Sequence, residues 1–237
     1  MLYMLIHTID ESLDVDDERW AQIDDDLSAW LDETVRARVE LHGSRLRPTS
    51  DATTVRIRDG QTILIDGPFA ETKEQVVGYD LLSCGSLDEA LTWAARHPTA
   101  TMGSIEVRAL HDAPARTALP DQAATTTRYM MLVCVPEDVE LSDDESTRIG
   151  PATEAWVRDL DARGVQLFGS QLAPVEGART ARIVDGDVVL VDGPFAETKE
   201  LIAGFDILEC ADLDEALHAA ARHPVAGFGS LEVRPFW

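Results

Sequence analysis

The chain opens with a short apolar run, Leu2 to His7, and the apolar positions then spread out. From about Glu18 to Glu40, Trp20, Ile23, Leu27, Trp30, Leu31 and Val35 recur at three- and four-residue steps, the period of a helix with one apolar stripe. A short segment, Leu41 to Leu46, follows. Thr53 to Arg58 and Thr62 to Ile65 then alternate as strands do, with Asp59-Gly60 between them as a hairpin turn. Val76 to Ser83 reads as another strand. Ser86-Leu87-Asp88-Glu89 has the form of a capped helix start, and that helix runs to His97, where Pro98 stops it. Ile105 to Leu110 closes the set as a strand. On the outer strands Val55, Ile57, Ile105 and Val107 point one way, and Arg56, Arg58, Glu106 and Arg108 the other.

The same order then recurs. Asp66-Gly67-Pro68-Phe69-Ala70-Glu71-Thr72-Lys73-Glu74 returns unchanged from Asp192 to Glu200, an offset of 126. That offset holds without a gap from Gly43/Gly169 to Arg108/Arg234, with about 40 of those 66 positions identical. Tyr3/Tyr129 and Trp30/Trp156 keep it upstream, and Gly164 marks the end of the second long helix. The chain is a tandem duplication. Its first repeat covers residues 1–110 and its second 128–237. Residues 111–127, rich in Ala, Thr and Pro, read as a linker long enough to join two whole domains. Strand, helix, a run of strands, helix, strand predicts the α+β class, with a ferredoxin-like βαββαβ core plus a hairpin strand in each half. A sheet with helices on one face needs cover on the other. The twin half is the expected cover, which makes the expected architecture an intramolecular dimeric α+β barrel, an internal pseudo-dimer. Further dimerisation of the whole chain stays open.

Composition narrows the function classes. The 45% apolar and 27% charged residues are those of a soluble globular protein, and the net charge of −24 repels phosphate backbones and anionic membranes alike. Neither nucleic acid nor membrane is therefore an expected partner. Met1 to Ile9 has no basic flank, is too short to span a bilayer and runs into Asp10 and Glu11, so a cytoplasmic location is expected. Cys84, Cys134 and Cys210 form no CxxC pair, and Cys84 and Cys210 occupy matching strand positions as buried thiols.

The stretches Thr54-Val55-Arg56, Asp59-Gly60, Asp66 to Glu74, Gly78-Tyr79, Leu87-Asp88-Glu89-Ala90 and Glu106-Val107-Arg108 resemble the DGPF group of YCII-related proteins, over nearly the whole of both halves. The resemblance implies a dimeric α+β barrel, normally built from two single-domain chains. It also implies genomic association with alternative sigma factors of the extracytoplasmic-function type and, in a few relatives, action on small molecules, including dehydrochlorination of chlorinated aromatics. Better-studied relatives carry a His and Asp pair. Here His7 faces Val133 in the twin and His42 faces Phe168, so neither histidine recurs, which weighs against a His–Asp mechanism.

Two constellations are candidates for chemistry. In the nine-residue motif, Asp66 and Asp192 are the candidate catalytic bases or polar anchors. Glu71, Lys73, Glu197 and Lys199 add acids and amines to the same loops. The motif serves a demanding turn equally well, because Gly permits positive φ and Pro fixes the backbone after it. The second constellation is Arg56, Arg182, Arg108 and Arg234 with Glu106 and Glu232, which could dock a small acid or form cross-strand ion pairs. The halves differ here: Arg45, Arg47 and Arg58 stand where the second half has Gln171, Ala173 and Val184, which gives the first half the better anion-binding surface. His97 and His223, before Pro, read as partners of a helix C-terminus. No metal or cofactor site is expected, because no His or Cys cluster has ligand spacing and P-loop and GxGxxG motifs are missing. Whether the protein is an enzyme is open. One reading is a protein that binds or transforms a small polar or anionic molecule beside the DGPF loop. The other is a non-enzymatic accessory module linked to a sigma factor.

Overall fold

A computed structural model describes residues 1–111, 119–139, 141–196 and 198–237. The first repeat runs β1 (Leu2–Ile9), α1 (Asp17–Ala37), β2 (Glu40–Arg45), β3 (Thr53–Arg58), β4 (Gln61–Asp66), β5 (Gln75–Ser83), α2 (Leu87–Arg96) and β6 (Gly103–Ala109). The second follows the same plan: β7 (Thr127–Pro136), α3 (Asp143–Ala162), β8 (Gln166–Gln171), β9 (Arg179–Val184), β10 (Asp187–Asp192), β11 (Glu200–Cys210), α4 (Leu213–Ala221) and β12 (Ser230–Pro235).

Local chemistry explains the boundaries. Each helix begins at a side chain that accepts a backbone N–H: Asp16, Ser86, Ser142 and Asp212. At Ser142 the partner Glu145 returns a bond to the cap, a full capping box. Helix α1 stops at Ala37, short of the Glu40 that periodicity suggests, because Arg38 turns left-handed at φ 59°. Gly164 takes the corresponding place in the twin at φ 71°, where no Cβ opposes it. Both hairpins turn on Asp-Gly with positive φ at both residues, the geometry whose twist matches paired strands.

The chain forms two compact units, each built on one six-stranded antiparallel sheet. In the first unit the order is β10-β9-β6-β1-β5-β2. The four strands β6-β1-β5-β2, with helices after β1 and β5, form the ferredoxin-like core. In the second unit the order is β4-β3-β12-β7-β11-β8. The hairpins are therefore exchanged. Strand β3 of the first repeat pairs with β12 (Val55 opposite Leu231), and β9 of the second repeat pairs with β6 (Ala181 opposite Ile105). A repeat in sequence is thus not a unit in space.

Each unit has its own core. In the first, Tyr3, Leu5, Trp30, Leu82, Ala90, Ala94, Ile105 and Val107 pack together, joined by Ala181 from the incoming hairpin. In the second, Val55 enters the cluster of Tyr129, Met131, Trp156, Leu208, Leu231 and Val233 in the same way. The outer strands β4 and β10 are exposed along their whole length, with Leu64 53% and Leu190 54% accessible. Of the expected linker, the described residues 119–126 are tied to β11 through Glu209, which accepts from Ala123 N–H and Thr126 Oγ1. The three cysteines are buried and form no disulfide, and burial pushes Cys84 up to about 11 and Cys210 up to about 12.

Candidate functional site

The nine-residue motif builds a docking turn. In the second unit Gly67 lies at φ 107°, its N–H donates to Ala52 O, and its carbonyl accepts from Thr54 Oγ1. The Phe69 N–H then donates to Glu232 Oε2 at 2.9 Å. Glu232 is fully buried on β12, and its other oxygen accepts from Arg234 Nε at 2.8 Å. The first unit repeats the device: Gly193 at φ 106°, Phe195 N–H to Glu106 Oε2 at 3.1 Å, and Arg108 Nε to Glu106 Oε1 at 2.7 Å. A buried carboxylate thus joins a buried guanidinium to the incoming loop, which is why the motif needs both Gly and a free N–H at Phe.

That geometry settles where the sequence candidates lie. Arg108 and Arg234 are spent on Glu106 and Glu232. Arg56 bonds Glu200 at 3.0 Å, and Arg182 lies 3.9 Å from Glu74. Asp66 is exposed on the edge strand, at the rim of an open cleft of about 350 Å³ that Arg47, Asp51, Thr53 and Tyr129 also line. Asp192 is exposed and paired with Arg179 at 2.8 Å. Glu71 and Lys199 are exposed, and Lys73 reaches Asp10 only at 4.0 Å. Glu197 lies outside the described residues. The extra arginines do not gather either: Arg45 belongs to the first unit, Arg47 and Arg58 to the second.

A different cluster forms between the sheet and the helices of the first unit. The β1–β5 register sets His7 opposite Gly78, two residues before Asp80, and His97 follows α2. All three are buried. His7 Nε2 lies 2.9 Å from Asp80 Oδ2, and His97 Nε2 lies 3.6 Å from the same oxygen. The 2.9 Å contact is off the line of a good hydrogen bond. Asp80 Oδ1 packs so tightly on Gly43 that a Cβ there would meet it at 1.9 Å. Burial alone would raise the Asp80 carboxyl, but the facing imidazoles, His7 first, hold it below its ordinary value.

His97 is neutral. Burial, then the nearby His7, pushes it down to about 3. Its Nδ1 accepts the Thr99 N–H at 3.1 Å, so the ring proton sits on Nε2, facing Asp80. His223 does the same with Val225 N–H, and burial pushes it down to about 4. Neither is the cationic partner of a helix terminus that sequence suggests: each caps the turn after its helix and packs edge-on against Trp30 or Trp156. The ligand atoms of His7, Asp80 and His97 do lie within 4.8 Å of one another, as a metal would require. A metal at His97 Nε2 would have to displace the proton that the Nδ1 bond places there, so the trio suits proton chemistry better.

On the opposite sheet face Tyr79 OH and His42 Nδ1 are 2.6 Å apart. The second unit lacks this polar equipment. Val133 replaces His7, Phe205 and Phe168 stack where Tyr79 and His42 meet, and Asp206 keeps the carboxyl with Gln166 Nε2 at 3.0 Å. His7 and His42 were discounted in sequence because they have no twin. A duplicated chain needs its chemistry only once, so a missing twin does not by itself exclude either histidine. Gly-Tyr-Asp beside Gly-Phe-Asp, retained after the shared motif, was the available signal.

The comparisons agree with the repeat. The sequence profile described as YCII-related domain matches residues 1–113 and again 127–237. An uncharacterized protein of Rhizobium meliloti (strain 1021) is 44% identical over 117 residues, which is 46% of this chain and 92% of that protein. Among solved structures, one provisionally named chlorite dismutase aligns with a TM-score of 0.47 at 8% identity, over 100% of this chain and 94% of the other, a likeness too slight to argue from. No helix among the described residues is long and apolar enough to cross a membrane. With its profile matched twice and almost end to end, the chain belongs to the YCII-related domain family and carries two copies of that domain in tandem.

Proposed function

We propose that the first unit performs general acid–base chemistry on a small polar molecule, with His7 exchanging the proton and Asp80 holding the ring in position. The observation that carries this reading is the buried His7–Asp80 pair at 2.9 Å, with a neutral His97 behind it. Asp80 lies on the Nε2 side of the ring, which leaves Nδ1, on the side of Gly78, for the substrate. His97 contributes shape and no competing charge. The reaction class is proton abstraction from, or transfer to, a bound small molecule. Asp66 and Asp192, at exposed strand ends, act in this reading as parts of the turn, and the base role passes to His7.

The test is turnover of a small-molecule extract followed by mass spectrometry. Wild-type protein and the Asp66→Ala, Asp192→Ala double variant should consume the same species, and His7→Gln should not. Consumption unchanged in His7→Gln would sink the reading.

A second reading, an accessory module that docks a protein such as a sigma factor, is favoured by one observation: the edge strands β4 and β10 expose Ile63, Leu64, Ile65 and Val188, Val189, Leu190, Val191. Gentle purification from the host separates the two. A bound protein released by Leu64→Lys and Val189→Lys supports the module, and a bound small molecule supports the acid–base site.

A further inference from the structure

One half of the chain carries an arginine that the other half leaves out, and the place where it would lie is an open cleft. In the first unit Arg179 on β9 stands opposite Asp192 on β10. Its Nε lies 2.8 Å from Asp192 Oδ1, and its Nη1 donates to Ala178 O at 2.9 Å. The same carbonyl also accepts the Gly193 N–H of the docking turn. A carboxylate and a backbone oxygen thus hold one guanidinium by two different nitrogens.

The second unit keeps this receptor and loses the cation. The offset of 126 puts Thr53 where the twin has Arg179. Asp66 stands opposite Thr53, and Ala52 O accepts the Gly67 N–H as Ala178 O accepts that of Gly193. Among the described residues no side chain pairs with Asp66, and no side chain adds a second donor at Ala52 O. Threonine ends one atom beyond Cβ, so the space of an arginine arm stays unfilled. Ala52, Thr53 and Asp66 line the cleft of about 350 Å³ there, with Tyr129, Leu213 and Pro235 as its apolar walls. That volume suits a small ligand.

Charge points the same way. Arg47, also on the wall, is spent on Asp51 at 3.5 Å and on the Trp237 ring, so it leaves Asp66 as the unbalanced charge. In a chain of net charge −24, cations are drawn in from a distance. Two acceptors set for two nitrogens suit a planar fork better than the point charge of an ammonium.

We propose that this cleft of the second unit binds an alkylguanidinium. Its head sits on the Asp66 carboxylate and the Ala52 carbonyl, and its arm runs along Tyr129, Leu213 and Pro235. The ligand takes from outside the place that Arg179 takes from within the first unit. The lining residues all belong to the second unit, so the site is separate from the His7–Asp80 pair and stands or falls without it.

The reporter is the Gly67 amide in full-length ¹⁵N-glycine-labelled protein, because its N–H shares Ala52 O with the ligand; Gly193 is the reference. Butylguanidinium should shift the Gly67 signal saturably and leave Gly193 in place. Butylurea, of the same outline and uncharged, should be at least tenfold weaker, and butylammonium weaker too. Asp66→Asn should abolish the response with the thermal transition unmoved, and Asp192→Asn should leave it intact. Thr53→Arg, which restores the twin's own arm, should block the cleft. Equal response to butylurea, a response that survives Asp66→Asn, or no saturable shift at Gly67 overturns the proposal. Attraction to the overall charge alone would give the second of these outcomes. Agmatine and a blocked Gly-Arg-Gly peptide then separate the two sources of the group: tighter agmatine assigns a free small molecule, and a tighter peptide assigns an arginine of another chain.

Discussion

At the position matching Asp80, Asp206 is buried with Val133 where the first unit has His7, and Gln166 supplies its side-chain hydrogen bond. Burial dominates, and the carboxyl is pushed up to about 7. The unfolded chain ionises this group near its ordinary value of 3.8, whereas the folded chain keeps it protonated until about 7. Between those values the folded state holds more protons, so stability falls as pH rises and the loss is complete above about 7. Asp206→Asn should therefore be more stable than wild type at pH 8, by on the order of 2–4 kcal/mol at most. The gain should vanish near pH 4. Thermal melts across that range test it, and a gain independent of pH would refute the account. His97 and His223 work in the other direction. Their folded values are lowered, so what they contribute above about 6.5 is lost as pH falls toward about 3 and 4.

At the scale of elements, the hairpin and its loop are held by one buried acid. Glu232→Ala removes the acceptor of the Phe69 N–H and leaves Arg234 buried without that carboxylate. It should cost about 3–5 kcal/mol in urea unfolding, whereas Asp66→Ala at the exposed strand end should cost less than about 1 kcal/mol. Equal costs would mean that the loop is anchored elsewhere. The elements themselves were legible. Periodicity marks the helices, Asp-Gly the hairpins, and Ser86 and Glu89 the start of α2. The hairpin's destination was not, because β3 can meet either Ser104-Ile105-Glu106-Val107-Arg108 or Ser230-Leu231-Glu232-Val233-Arg234, edges that differ by one methyl-branch isomer. Alternation says which face a strand buries and nothing about which of two near-identical neighbours it pairs with. The His7–Asp80–His97 cluster was hidden for another reason: its members lie at positions 7, 80 and 97, and it takes the β1–β5 register and the turn after α2 to bring them together.

For the whole molecule, exchange means that each unit draws strands from both repeats. Residues 1–110 alone hold a hairpin with no β12 to join and a β6 with no β9 beside it. Expressed by itself, this segment should form a dimer in which two copies trade hairpins, read as twice the monomer mass by light scattering. A folded, stable monomer of that segment would show that the hairpin can return to its own sheet. The exchange also sets a schedule. The ribosome finishes β6 long before Asp192, the last residue of the hairpin that must lie against it. At about 5–20 residues per second the gap lasts roughly 4–16 s, during which the nascent first sheet has an open edge and an unfinished core. Slow, late closure of this kind favours the duplicated gene over a separate partner, because the missing strands arrive on the same chain, at the same ribosome, before a stranger's edge can take their place.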